Sequence, residues 1–351
     1  VMPLRFIVLR ARVLLASPSA LRRLALASII ANVGIVITGG AVRLTGSGLG
    51  CPTWPRCTDD SYVATAEMGI NGAIEFGNRL LTYVVGLIAL LVVVSALLQL
   101  PRSRRTVVLA AAVLAQIPAQ AVVGGVTVLT DLNPWVVGCH FLVSMVIIGF
   151  TYALWRSAID DAARVDAPHE RPTWSAPRPL RWFGLSIVAV TAAVLFVGVV
   201  VTGSGPHAGD ADARRNNLDP QAVTQLHADG VFVLVGLTVG MLFAVWAVDA
   251  TRVVRRAAVL LLVVELAQGL VGLVQYLTDL PRLLVGAHMA GSCAVLLAAL
   301  AVHSNLRRAY RAPLTRVRAD LPEALTRPQP AGPNGGAPAN GEAALRLGGR
   351  T

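Results

Sequence analysis

Long apolar runs separated by short polar segments organise this chain. Eight runs stand out, at roughly 24–42, 74–99, 106–129, 136–156, 180–202, 222–248, 256–277 and 283–304. A helix needs about 20 residues to cross the hydrocarbon of a bilayer, and each run approaches or exceeds that length. All eight are read as helices, because lipid offers no partner to an open backbone group. The first run is too long for the apolar segment of a cleaved leader. It flows into a Gly-rich stretch rather than a small-residue cleavage site, so no signal peptide is expected.

The segments between runs alternate in charge. Arg5, Arg10, Arg12, Arg22 and Arg23 precede the first run. Arg102, Arg104 and Arg105 lie between runs 2 and 3, and Arg156, Arg164, Arg171, Arg178 and Arg181 lie between 4 and 5. Arg252, Arg255 and Arg256 separate 6 from 7, and the tail is again Arg-rich. By the positive-inside rule both termini are cytoplasmic, and the protein is a multi-pass protein of the cell (plasma) membrane. Six arginines fall on the other side: Arg43, Arg56, Arg79, Arg214, Arg215 and Arg282. They are either scatter in translocated loops or partners for an anionic ligand, which guanidinium binds in bidentate fashion.

The pattern also repeats. Gln120, Gly124, Leu129-Thr130-Asp131-Leu132 and Gly138-Cys139-His140 recur as Gln268, Gly272, Leu277-Thr278-Asp279-Leu280 and Gly286-Ala287-His288, each offset by 148 residues. Gly34-Ile35-Val36-Ile37-Thr38-Gly39 similarly matches Gly198-Val199-Val200-Val201-Thr202-Gly203 at an offset of 164. The expected architecture is an all-α membrane protein of eight transmembrane helices, built as two tandem four-helix bundles related by a pseudo-twofold along the membrane normal. Its parts are a cytoplasmic N-terminus (1–23), an N-terminal bundle (24–156), a Pro-rich cytoplasmic linker (157–179), a C-terminal bundle (180–304) and a largely disordered cytoplasmic tail (305–351).

Composition agrees. Of 351 residues, 55% are hydrophobic and 14% charged, and mean hydropathy is +0.65. The net charge of +11 is carried without a single lysine and sits where topology needs it, so no nucleic-acid partner is expected; the surrounding partner is membrane lipid.

Six histidines occur. His169 and His303 fall at the cytoplasmic side and His207 in an outer loop, all read as ordinary surface residues. His140, His227 and His288 open runs 4, 6 and 8 at one depth, and ionisable groups inside apolar spans are costly. The repeat places Asn78, not a histidine, opposite His227. Glu75 stands one helical turn before it and is either a helix cap or a proton carrier. Three imidazoles without a CxxC pair or carboxylate cluster argue against zinc, calcium or iron–sulfur. Imidazoles on facing helices are the usual way to hold haem. His227 and His288 would clasp one haem, and His140 would be the one strong ligand in the N-terminal half.

The first outer loop reads Gly46-Ser47-Gly48-Leu49-Gly50-Cys51-Pro52-Thr53-Trp54-Pro55-Arg56-Cys57. Cys51 and Cys57 face an oxidising side, which suits a disulfide, acting as a staple or as an electron relay. Cys139 and Cys293 are read as core packing.

Taken together, the loop at 45–55, the Ile74-Glu75-Phe76-Gly77-Asn78-Arg79 segment and the two Gly-x-His helix starts resemble the haem A synthase family. The likeness extends over all eight runs. It implies oxidation of the C8 methyl of haem O to a formyl group by two successive hydroxylations. It implies a haem b cofactor between His227 and His288, the haem O substrate against His140, and a catalytic Glu75. By the same likeness Asn78 lies near the substrate, in an Asn-containing variant of a ligand position, and Arg79 faces a propionate. Implied partners are the haem O synthase (protohaem farnesyltransferase) and cytochrome oxidase assembly factors. A dihaem cytochrome b acting only in electron transfer is the competing reading; it would want two ligands at both haems. A transporter is disfavoured, since no run shows an evident Gly or Pro break at mid-depth.

Overall fold

The computed structural model describes residues 10, 12–166, 172–308 and 310–311. The tail beyond 311 and the middle of the linker, with His169, lie outside the described residues. Eight helices are long and apolar enough to cross a membrane. They are α1 (Pro18–Leu44), α2 (Gly69–Leu98), α3 (Arg104–Leu129), α4 (Pro134–Asp166), α5 (Arg178–Ser204), α6 (Pro220–Ala247), α7 (Arg252–Leu277) and α8 (Arg282–Leu306).

Helix starts follow local chemistry. Ser17 caps α1 by accepting from the Ala20 N–H, with Pro18 in the first turn. Asp219 does the same for α6 through Gln221, followed by Pro220. A side-chain oxygen satisfies an orphan N–H, and proline loses nothing where no N–H is needed. The helices outlast the apolar runs. α4 continues to Asp166, so the first part of the expected linker is helical. Pro118 lies inside α3, which nonetheless runs on without a break. A short antiparallel ladder, β1 (Pro172–Trp174) with β2 (Tyr310–Arg311), is the one pair of strands among the described residues.

α1 packs on α2 and α4, and α3 joins those two; α5 packs on α6 and α8, and α7 joins those. The two sets of four touch through α1 on α8, α4 on α5 and α4 on α8. We call the side carrying residues 45–68 and 205–219 the loop face and the opposite side the terminal face. Buried apolar clusters fill the terminal-face half of each set: Leu21, Ala25, Val92, Val113 and Leu154 in the first, and Ile187, Leu234, Met241, Leu261 and Val302 in the second. Above them, toward the loop face, the inward positions change to glycine, glutamine and histidine. Each set thus has a dense apolar floor below the layer that carries its histidines.

The junction between the sets is a third cluster of Val36, Met145, Ile148, Cys293 and Leu296. Two glycines bring the backbones close there. A Cβ on Gly138 would stand 2.5 Å from Val199 Cγ1, and one on Gly286 would stand 3.3 Å from Leu44 Cδ1. Without a hydrophobic force between helices in lipid, such close approach supplies the van der Waals contact that holds them.

Substitution at two glycines of α4 tests this. Gly138→Ala drives a methyl into a stiff valine branch and should cost about 1–3 kcal/mol. Gly149→Ala meets Leu300 at an ordinary 3.9 Å and gains helix propensity, so it should be neutral or stabilising by about 0.5–1 kcal/mol. Thermal unfolding in one detergent should separate the two variants by several degrees; equal melting would refute glycine-mediated docking at α4–α5.

Candidate functional site

On a helix of 3.6 residues per turn, a residue two positions on points about 200° away. In the two Gly-x-His helix starts, this places glycine and histidine on opposite faces. Gly138 and Gly286 face the other set of helices, while His140 and His288 turn inward to α3 and α7. A Cβ on Gly124 would lie 3.0 Å from His140 Cε1, and one on Gly272 would lie 3.1 Å from His288 Cε1. His227 on α6 is seated the same way, 2.9 Å from a Cβ built on Gly198 of α5. Three imidazoles thus lie in three seats that any larger residue would fill.

Glutamines fix the helices that carry two of them. Gln120 Nε2 donates to the His140 carbonyl at 2.7 Å and to Ser144 Oγ at 2.5 Å. Gln268 Nε2 donates to the His288 carbonyl at 2.7 Å. The turns before these helices match too: Asp131-Leu132 and Asp279-Leu280 all have positive φ, between 51° and 59°. In each turn the second residue's N–H donates back to a helix carbonyl, Leu132 to Thr127 and Leu280 to Gln275. Two successive left-handed non-glycine residues are costly and persist only where surroundings enforce them.

His227 and His288 face each other with ring centres 6.4 Å apart. An imidazole nitrogen binds a transition metal at about 2.0–2.1 Å. At 6.4 Å between ring centres, with the ring planes 72° apart, the two imidazoles would leave room for a metal ion between them. The Nδ1 atoms of His140, His227 and His288 are buried without a partner at hydrogen-bond geometry; backbone groups of Val194 and Gln268 approach His227 and His288. No group of three His, Cys, Asp or Glu side chains gathers as a metal cage among the described residues. Two facing imidazoles are a donor set that fits a planar metal complex clasped between them.

The first set lacks the facing ring. Asn78 accepts from Thr38 Oγ1 at 2.7 Å, which ties its amide to α1. Gly34, the counterpart of Gly198, has nothing within 4 Å of a built Cβ. Open space therefore lies beside Gly34, where His227 stands against Gly198 in the second set.

Over this chamber lies the Cys51–Cys57 loop, and the two cysteines are bonded. Glu75 is buried (6% exposed). Its Oε2 accepts the Cys51 N–H at 2.7 Å and its Oε1 takes Arg79 Nη2 at 2.6 Å. Arg79 also donates to the carbonyls of Cys51, Thr53 and Arg56. Arg79 thus reaches the loop and Glu75 in this structure. Others of the outward arginines also serve backbone. Arg43 donates to the carbonyls of His207 and Thr202, Arg56 to Asp59, and Arg215 to Ala213 and Pro206.

His207, read from sequence as a surface residue, links this layer to the second turn by bonding the Leu280 carbonyl at 2.9 Å. His303 is half-buried, with its Nδ1 unpartnered. Cys293 is buried in the junction, but Cys139 is exposed rather than in the core. Its neighbours Gly138 and His140 take the two inward faces of α4 and leave it the outward one. Sequence reasoning passed over Glu265, which is 4% exposed in the middle of α7. Its Oε1 accepts from Thr238 at 2.8 Å, and its Oε2 has no partner. An acid inside the seventh apolar run was the available signal.

Residues 22–300 match the family described as cytochrome oxidase assembly protein, COX15-CtaA. The chain is similar to the heme A synthase of Lysinibacillus sphaericus, 28% identical over 182 residues, covering 52% of this chain and 57% of that protein. It is also similar to the heme A synthases of Alkalihalophilus pseudofirmus (26% over 187 residues, 51% and 60%) and Bacillus licheniformis (24% over 183 residues, 52% and 58%). The chain spans little more than half the length of these relatives. The family match reaches from within α1 to within α8, and on that basis the chain belongs to the COX15-CtaA family of cytochrome oxidase assembly proteins.

Proposed function

We propose that the protein is a haem A synthase, an oxidoreductase that draws on an external oxidant to hydroxylate the C8 methyl of haem O twice, the resulting gem-diol losing water to give a formyl group. The observation that carries this reading is the unequal pair of chambers. One presents two imidazoles 6.4 Å apart; the other presents His140 alone, opposite an asparagine already bonded to Thr38. The names of the similar proteins point the same way. A carrier of electrons through two fixed haems would need strong ligands on both sides of each, so the dihaem cytochrome reading fits less well.

In this reading the two sets of four helices are tandem bundles from one duplicated unit, related by a pseudo-twofold along the membrane normal. The matched glutamine bonds, glycine seats and left-handed turns support the duplication. The N-terminal bundle (24–156) takes substrate, and the C-terminal bundle (180–304) holds haem b through His227 and His288. The linker (157–179), both termini and the tail (305–351) are cytoplasmic, and the membrane is the cell membrane. The haem O synthase would supply substrate, and oxidase assembly factors would take product.

Haem b, when bound, supplies electron transfer. The chain's own residues do the rest. Gly198, Gly272 and the glutamine-anchored helices hold the rings in place. His140 binds the substrate from one side, and the Asn78 side is left open, so the substrate can come and go. Glu75 sits at the roof of this chamber and moves a proton during oxidation. Arg79 keeps Glu75 and the disulfide loop in register, and would serve as a propionate partner by giving up one of its loop carbonyls when substrate is bound.

Two measurements test the assignment. His227→Ala or His288→Ala should each abolish a low-spin bis-imidazole haem spectrum, because the iron loses one strong ligand; its retention in both variants would end the C-terminal assignment. Glu75→Gln keeps an acceptor for the Cys51 N–H but removes the charge and the titratable proton. It should still bind both haems while the yield of haem A falls about 10²–10⁴-fold in rate, with haem O or its hydroxymethyl form accumulating. Near-normal haem A yield would reduce Glu75 to a loop anchor.

A further inference from the structure

The Cys51–Cys57 loop is fixed to α2 at many points and to α3 at one. On the α2 side, Glu75 takes the Cys51 N–H and Arg79 takes three loop carbonyls. Gly50 lies so close that a Cβ there would stand 2.3 Å from the Asn71 carbonyl oxygen. Gly48 N–H bonds the Gly209 carbonyl at 2.8 Å, and Ser47 Oγ bonds Asn71 Oδ1 at 3.0 Å. From this frame the side chain of Trp54 reaches α3. Its indole carbons lie 2.3, 2.5 and 2.7 Å from a Cβ built on Gly125, so the ring lies against bare helix backbone.

Gly125 directly follows Gly124, the seat of His140. One glycine of α3 admits the imidazole and the next admits the indole. The second half keeps only the first of these: Gly272 seats His288, and the next residue is Leu273, 55% exposed. The indole seat is therefore particular to the half that has one imidazole.

We propose that Trp54 is the retaining wall of the N-terminal chamber. Its indole, wedged between the stapled loop and α3, closes the loop-face side next to His140 and sets how long a tetrapyrrole stays there. This rests on the functional reading above and deepens it, since a chamber with one ligand must hold its substrate by other contacts. A flat aromatic wall does so by stacking and by excluding lipid and water.

The test is a release rate rather than turnover. Wild type, Trp54→Ala, Trp54→Phe and Gly125→Ala are loaded with haem O, freed of excess, and mixed with excess apomyoglobin while transfer is followed in the Soret band. Trp54→Ala should release haem about 10-fold faster, while Trp54→Phe, which keeps an aromatic face, should stay within about 3-fold of wild type. Gly125→Ala keeps the tryptophan but fills its seat, and should behave like Trp54→Ala; it decides the matter if Trp54→Ala fails to fold. The low-spin signal of the His227–His288 site should be unchanged in every variant. Wild-type release from Gly125→Ala and any folded Trp54→Ala protein overturns the proposal. So does faster release accompanied by loss of the low-spin signal, because that marks general loosening. A wild type that binds no exchangeable haem O would instead refute the functional reading, and the role of Trp54 with it.

Discussion

Backbone approach at glycine is the constraint on which the rest of this structure depends. Helices in lipid gain little from burying apolar surface against one another, so their spacing is set by what the closest residues permit. Gly138 and Gly286 let α4 and α8 settle on the opposite set of helices. Two residues further, on the far side of each helix, His140 and His288 are thereby fixed in depth and direction. Gly124, Gly198 and Gly272 then clear room for the rings. Imidazole separation in the second chamber is thus determined by main-chain packing, which is stiffer than any side-chain contact. A ligand pair preorganised this way loses little entropy when it closes on its guest.

The two chambers differ by small changes on this common frame. Where His227 fills the seat over Gly198, Asn78 turns away to Thr38 and leaves the seat over Gly34 open. Thr38 has a counterpart in Thr202, and each hydroxyl bonds its own helix, Thr38 at the Ile35 carbonyl and Thr202 at the Gly198 carbonyl. Thr38 also reaches across to the amide oxygen of Asn78 on α2. Tethering matters because an unpaired amide group away from water would cost on the order of 1–3 kcal/mol. The amide oxygen is thus satisfied from the neighbouring helix α1.

Much of this was legible in the sequence, for physical reasons. Eight apolar runs became eight helices because a continuous apolar run of about 20 residues spans lipid with its backbone satisfied only as a helix, a barrel strand being shorter and alternating. The 148-residue repeat appeared as matched hydrogen bonds because Gln120 and Gln268, Gly124 and Gly272 act locally, within one pair of helices. What depended on distant approach was not legible. The outward position of Cys139 follows from which faces Gly138 and His140 occupy, and that needs the neighbouring helices. Arg79 could be placed on a helix beside Glu75, but not among the carbonyls of Cys51, Thr53 and Arg56. The ladder of Pro172–Trp174 with Tyr310–Arg311 joins segments far apart in the chain, with no pattern in either to announce it. Trp54 was visible only as a loop residue, since its seat is an absence of side chain on another helix.

The two buried acids show how the same frame separates charge from apolar interior. Glu75 lies at the loop face, where a guanidinium and a backbone N–H meet its oxygens. Both carboxylate oxygens are met within hydrogen-bond reach. Glu265 lies at mid-helix among leucines and valines, with a single hydroxyl for company. No cation is paired with it among the described residues. The first half thus meets its acid with partners beneath the stapled loop, and the second half keeps its acid at mid-helix above a dense apolar floor. In the functional reading proposed above, the first arrangement would suit a site that opens, and the paired imidazoles of the second a resident cofactor.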